Sequence, residues 1–451
     1  MNPALQKIVV VMPSQVTADT LMGSGALEIV QQVFSVDFLC AGEFRGIPTG
    51  DRTRILQPAA LRSRWRVFLD IHFWYHELFV YLRQAGIGYH QSFKVAYLKR
   101  YQRWLHRLLA LRPFHSFVNW LDRKVIFRVD SAFVDYLREV RPALVIYPGS
   151  AMDSYSHYVV RSAQSLGIPT LMIVSHWDYF SKKGMLRTAP RRIYLWGEDM
   201  RELVMRRDSV AADALRVLGA PHFQKYLSSE ISRERARHAL GLPPAGRILL
   251  FAGTSTPYDE VAVLARLSNF LIQSRLNDIR IIYRPHPRAC KRIVREATDP
   301  RHLPGVLVDE PDAPRTVSGD HVTALMHAID AIVSPFSTMI LEAALCGRPA
   351  FCVGFADGVN SWDFAEALNN EHIAILRGRS WLSICKDSDR LEGQFAEFLA
   401  SLDRPGVGEA IRDEVQRTVF HDDRTYADRL KDAIIEDFFP KECQAEVTAG
   451  D

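Results

Sequence analysis

Two short stretches hold the residues best suited to chemistry. In Tyr283-Arg284-Pro285-His286-Pro287-Arg288, an imidazole stands between two prolines and two arginines. The prolines stiffen the backbone, and the cations and imidazole offer fixed donors to phosphate oxygens. In Ser334-Pro335-Phe336-Ser337-Thr338-Met339-Ile340-Leu341-Glu342, two hydroxyls precede a helical pattern and a carboxylate follows a turn later. A helix start with hydroxyls suits an anion, and Glu342 could accept two hydrogen bonds from ribose hydroxyls. Thr254 and Ser255, in FAGTST, form a third polar loop. The simpler readings are a proline-rich turn and ordinary Ser/Thr capping. Both main stretches follow strand patterns, and together they describe a site for a nucleotide monophosphate or diphosphate.

The elements that must position these residues are an alternation of strands and helices. Lys7–Met12 is a buried strand and 21–33 its helix. Strands follow at 143–148, 169–174 and 193–196, with a helix near 153–166. A second series runs through strands at 247–252, 279–283, 306–308, 331–334 and 349–353, with helices at 259–274 and 337–346. This order predicts an α/β chain of two Rossmann-like doubly wound domains. We expect an N-terminal, acceptor-side domain over 1–228, a C-terminal domain over 229–440, and a disordered tail over 441–451. Carboxyl ends of parallel strands are where ligands bind. In the first domain Asp19, Asp153, His176 and Asp178 follow strands and are candidates for a general base. Each also has a simpler reading as a helix cap or structural hydrogen bond. Asp178 is favoured, because Lys182 and Lys183 nearby could hold an anionic acceptor.

The paired motifs resemble the donor-binding half of GT-B fold glycosyltransferases. An HP motif followed by a Ser/Thr motif is similar to bacterial sialyltransferases, capsule Kdo transferases and CDP-glycerol glycerophosphotransferases. STMILEAALCGRPAF resembles the phosphate turn, ribose-binding Glu and Gly-x-Pro of that fold, and VLGAP resembles its last N-domain strand before the hinge. The resemblance implies that His286, with Arg284 nearby, and Ser337 and Thr338 contact donor phosphates. It implies that Glu342 binds the ribose, that Thr254 and Ser255 line the other side, and that the final helix around 428–438 crosses back to the first domain. It implies a nucleotide-sugar donor (CMP-, CDP- or UDP-linked), a glycan or lipid-linked acceptor, and no cofactor. The acidic motif of several sialyltransferase families is not found in the N-terminal half; Asp357-Gly358 lies in the other domain.

Residues 52–128 follow none of this. They hold 15 Lys+Arg against 3 Asp+Glu, and 16 of the 77 are Phe, Trp or Tyr. We read 52–135 as a basic, aromatic helical insertion that contacts an anionic membrane surface. Plain packing of the aromatics is the alternative, and no nucleic-acid-binding motif is present. The 451 residues carry a net charge of only +4, with 48% hydrophobic and 24% charged residues, the balance of a globular chain. Six scattered Cys without a C-x-x-C pair argue against a structural zinc site and suit a reducing cytoplasm. The apolar run at the N-terminus is too short for a signal peptide, and no run reaches the length of a membrane span. Asp387-Ser388-Asp389 spells D-x-D, but it follows WLSICK with no expected parallel strand before it, so no metal is assigned. The leading expectation is a metal-independent glycosyltransferase on the inner face of the cell membrane. The alternatives are a UDP-sugar 2-epimerase-like enzyme and a non-catalytic, membrane-associated adaptor of the same fold.

Overall fold

The computed structural model describes residues 5–58, 63–84, 86, 95, 98–122, 124, 129–149, 153–182, 186, 188–207, 210–228, 231–286, 298–309, 319–360 and 368–440. The expected tail at 441–451, with Lys183, Pro287 and Arg288, lies outside them. Two compact units divide the chain. The first holds Met1–Gly86, Lys99–Gln224 and the chain from Arg417 on; the second holds Ile87–Leu98 and Lys225–Gln416.

The first unit carries strands β1 (Lys7–Met12), β2 (Ser35–Cys40), β3 (Thr53–Ile55), β4 (Leu144–Gly149), β5 (Thr170–Val174), β6 (Arg192–Leu195) and β7 (Leu215–Val217). Its helices are α1 (Gln15–Gly23), α2 (Ala26–Val33), α3 (Arg64–Gln84), α4 (Arg100–Leu109), α5 (Arg112–Leu121), α6 (Ser131–Val140), α7 (Ser154–Ser165) and α8 (Glu198–Arg207). In the second unit the strands are β8 (Arg247–Ala252), β9 (Ile279–Arg284), β10 (Val306–Val308), β11 (Ala331–Ser334), β12 (Ala350–Val353) and β13 (Leu382–Cys385). Its main helices are α9 (Arg233–Ala239), α10 (Glu260–Gln273), α11 (Gly319–Ala328), α12 (Met339–Leu345), α13 (Leu391–Ser401) and α14 (Val407–Val415). The last helix, α15 (Tyr426–Phe438), belongs to the first unit.

Both sheets are parallel. The first runs β3-β2-β1-β4-β5-β6-β7 and the second β10-β9-β8-β11-β12-β13. Strand order therefore reverses between β1 and β4, and again between β8 and β11. These are topological switch points, where an open sheet leaves a crevice at the carboxyl ends. Strands covered on both faces read as continuous apolar runs; β4, β5 and β12 are buried at every residue.

Three sequence expectations are corrected. The helix read over 21–33 is two helices, because Gly25 takes a left-handed backbone (φ 69°) between them. The helix read from Ser337 begins at Met339 and spans only 7 residues, so its dipole is small. WLSICK does contain a parallel strand, β13, paired with β12. The edge strands β3, β7 and β13, of 3–4 residues, are too short for a clear periodicity, and the six-residue interior strand β2 is also absent from the expected strands. β3 also interrupts the segment read as helical.

α15 closes the first unit's core. Tyr426, Leu430, Ala433 and Ile434 are buried with Ile8, Val10, Leu27 and Val30. The segment leading to it presses on two glycines. A methyl group on Gly219 (φ 91°) would lie 2.4 Å from the Phe420 carbonyl, and one on Gly197 as close to the Arg417 carbonyl. Asp199 fastens the same segment through Arg417 (2.9 Å) and the Thr418 hydroxyl (2.7 Å).

Candidate functional site

In the second unit, β9 and β11 flank β8 and all three run the same way, so their carboxyl ends share one edge. Gly253 directly follows β8, and the His286 backbone crosses over it. A methyl group on Gly253 would lie 2.9 Å from the His286 nitrogen and 2.8 Å from Glu260 Oε2. On the opposite flank the Ser334 hydroxyl donates to the Ala252 carbonyl (2.9 Å) and lies 3.3 Å from Ser337 Oγ. The His286 turn and the Ser337 turn thus sit on either side of one strand end, at the switch point.

Thr254 and Ser255 fill the loop between them. Buried Glu260, at the start of α10, holds that loop by accepting from the Thr254 N–H (2.6 Å) and the Tyr283 hydroxyl (2.7 Å). Ser337 accepts from the Met339 N–H (3.3 Å), so its hydroxyl does cap the turn, whereas Thr338 makes no side-chain capping bond. Phe336 is held at φ 39° and is buried. A left-handed backbone costs a non-glycine residue about 1–2 kcal/mol, and such strain persists only where the surroundings enforce it.

Arg284, 5% exposed, is paired with Asp309, which also bonds His321 (2.9 Å). Its charge therefore acts through the local field rather than as an open fork. Glu342, on α12, accepts from the Tyr226 hydroxyl at 2.5 Å. Burial raises the Glu342 pKa, while the Tyr226 bond and the Lys225 and Arg284 charges lower it. Arg284, at the end of β9, and Glu342, on α12, thus feel each other.

The four base candidates part company in the first unit. Asp19 is exposed on α1 and bonded by the Gln15 amide (2.7 Å). His176 and Asp178 are half-buried in the turn after β5, where their carbonyls accept from the Tyr179 and Ser181 N–H groups. The Lys182 side chain lies outside the described residues. Asp153 sits after β4, at the switch point. Its Oδ1 caps α7 by accepting from the Ser156 N–H (3.0 Å), while Oδ2 is buried without a partner among the described residues. Burial pushes its pKa up to about 6. Burial raises the pKa of the nearby Tyr147 hydroxyl, which is also unpartnered among the described residues, and Tyr179 and Asp153 raise it further.

Tyr226, Glu260 and Asp309 were not singled out in the sequence. Asp309 directly follows the expected strand 306–308, so the carboxyl-edge rule could have found it. Tyr226 falls beside the expected boundary between the two domains and carries no signal. Asp357 accepts from the Asp259, Val359 and Asn360 N–H groups (2.7–3.0 Å), which gives it a structural task. Asp387 caps its own turn through the Asp389 N–H (2.9 Å), and Ser388 bonds Arg266. Among the described residues one grouping has metal-ligand side chains, His76, Glu77 and His115 within 4.8 Å. It lies on α3 and α5, not at a strand edge.

No family model matches the chain, and no curated protein matches it. Solved structures do. A UDP-GlcNAc 2-epimerase from Neisseria meningitidis bound to UDP-GlcNAc superposes with a TM-score of 0.51 at 12% identity, covering 96% of this chain and 99% of that one. A glycosyltransferase from Rickettsia africae gives 0.51 at 9% identity, covering 97% and 98%. S. aureus MnaA in a co-structure with UDP gives 0.50 at 9%, covering 96% of both. At such identities the likeness establishes the fold: two Rossmann-like domains of the GT-B type.

Proposed function

We propose that the chain is a metal-independent glycosyltransferase, moving a sugar or glycerophosphate-like group from a nucleotide-activated donor to a glycan or lipid-linked acceptor. The observation that carries this is the meeting of the His286 and Ser337 turns around the end of β8, with Glu342 a turn further on. His286, Thr338 and the Thr254–Ser255 loop would hold the donor phosphates. Arg284 would act as a positioning residue, adding positive field while Asp309 fixes it. Glu342, kept in place by Tyr226, would take the ribose hydroxyls. Charge on the departing nucleotide would be met by preorganised donors.

Asp153 is our choice for the base, in place of Asp178. A carboxylate with a pKa near 6, whose buried Oδ2 makes no hydrogen bond among the described residues, would take a proton near neutrality from an acceptor hydroxyl brought against it. The rate of an Asp153-dependent transfer should rise with pH through about 6.

The likeness to a 2-epimerase bound to UDP-GlcNAc, and to MnaA bound to UDP, favours a second reading, a UDP-sugar 2-epimerase-like enzyme. Incubation with CMP-, CDP-, UDP- and GDP-activated donors, with and without a pool of glycan acceptors, separates the two. Acceptor-dependent nucleotide release supports transfer. Conversion of UDP-GlcNAc to its 2-epimer without acceptor would replace it. If neither occurs with any donor, and glycan assembly survives His286→Ala at normal protein level, a non-catalytic adaptor role is the better account.

A further inference from the structure

The helices α4 and α5, with the first two turns of α3, are built inside out, whereas the rest of α3 buries Phe73, Trp74, Phe79 and Tyr81 in the ordinary way. The histidines of all three helices point inward: His76 and His106 are 1–2% exposed, His76 bonds His115 (2.9 Å), and His72 bonds His106 (3.1 Å). Outside the buried stretch of α3 the aromatics point outward at helical spacing. Trp65, Trp104 and Trp120 are 66%, 65% and 54% exposed, and Phe68, Tyr101 and Phe117 are exposed beside them. α5 buries no residue, and α4 buries only His106 along its length. A helix that turns its apolar face to the outside is completed by another apolar phase.

Charge selects that phase. Exposed Arg64, Lys99, Arg100, Arg107 and Arg112 alternate with the aromatics, and neither α4 nor α5 contains an Asp or Glu. Basic residues next to tryptophans that are half or more exposed are the composition of a helix lying at the headgroup level of a bilayer. Among the described residues no helix is long and apolar enough to span one. We propose that the α3–α5 surface docks on an anionic lipid bilayer, with Trp65, Trp104, Phe117 and Trp120 entering the interface and the arginines meeting lipid phosphates. Each basic residue near such a surface contributes about 1 kcal/mol, so the group makes docking strong at low salt and weak at high salt. The binding needs no nucleotide and stands apart from the transfer reaction.

The test is flotation of the full chain, without nucleotide, on vesicles of phosphatidylcholine alone or with about 30% phosphatidylglycerol. The wild type should float with the anionic vesicles and lose most of that binding in high salt. A Trp104→Ser/Phe117→Ser/Trp120→Ser variant, altered only at exposed positions, should keep the wild-type circular dichroism spectrum and lose at least about tenfold in vesicle affinity. An Arg100→Glu/Arg107→Glu/Arg112→Glu variant should lose its preference for anionic lipid. The proposal is overturned if the wild type stays unbound. It is equally overturned if the aromatic variant binds as well as the wild type. Lipid-free self-association abolished by the aromatic variant, with no flotation, would assign the surface to a second copy of the chain.

Discussion

Asp153 combines a cap with a cost. Its folded pKa of about 6 lies above the ordinary value of 3.8, so between those values the folded chain binds more protons than the unfolded one. Stability contributed by the neutral acid is therefore lost as pH rises through that window. Above it, the buried charge costs on the order of 3 kcal/mol. Asp153→Asn keeps a good helix cap and removes that charge. It should raise the melting temperature at pH 7.5 and abolish transfer; a variant both less stable and fully active would remove Asp153 from the reaction. Tyr226→Phe should act oppositely. It leaves the Glu342 carboxylate without its 2.5 Å donor, which costs about 1–3 kcal/mol, and it should weaken nucleotide binding. Denaturant melts and nucleotide titration read both effects. The His286 and Ser337 turns, which the structure brings to one strand end, were legible in sequence because proline, histidine and hydroxyl side chains cluster after strand patterns. Glu260 and Tyr226 were not, since their roles arise from contacts made only on folding.

At the scale of elements, the central strands were visible as apolar runs, and their expected bounds agree with the structure to within one residue. The short edge strands, the break at Gly25 and the late start of α12 depend on backbone geometry that composition does not encode. The histidines between α3, α4 and α5 make that packing acid-sensitive. Burial lowers His76 to about 3 and His106 to about 4, below the ordinary 6.5. Below 6.5 the unfolded chain binds more protons, so stability falls as pH drops toward 4. Tryptophan fluorescence should report loosening of these helices on acidification, and His106→Phe should blunt the change. α15 makes a different prediction. Asp199→Ala removes partners of Arg417 and Thr418 at the foot of the segment leading to it, and should cost about 1–3 kcal/mol in thermal unfolding. An unchanged melting temperature would mean that the α15 core contacts alone hold the segment.

At the scale of the whole molecule, two Rossmann-like sheets of the same order carry unlike edges. One presents a half-paired acid at its switch point; the other presents an imidazole, hydroxyls and a held carboxylate. The α/β class with parallel sheets was legible in the strand and helix alternation, because such sheets demand buried apolar runs, whereas the strand order came only with the structure. The sequence does not separate the two proposed readings, transfer and 2-epimerisation, since solved structures of both kinds share this fold. The central claim is that the β8 edge binds a nucleotide. Thermal melts with UDP, CDP, CMP and GDP at millimolar concentration, on the wild type and His286→Ala, test it most directly. A ligand at about 100 times its Kd adds about 2.7 kcal/mol, so at least one nucleotide should raise the wild-type melting temperature by several degrees and leave His286→Ala nearly unmoved. No shift with any of the four, or an equal shift in both proteins, would contradict the account.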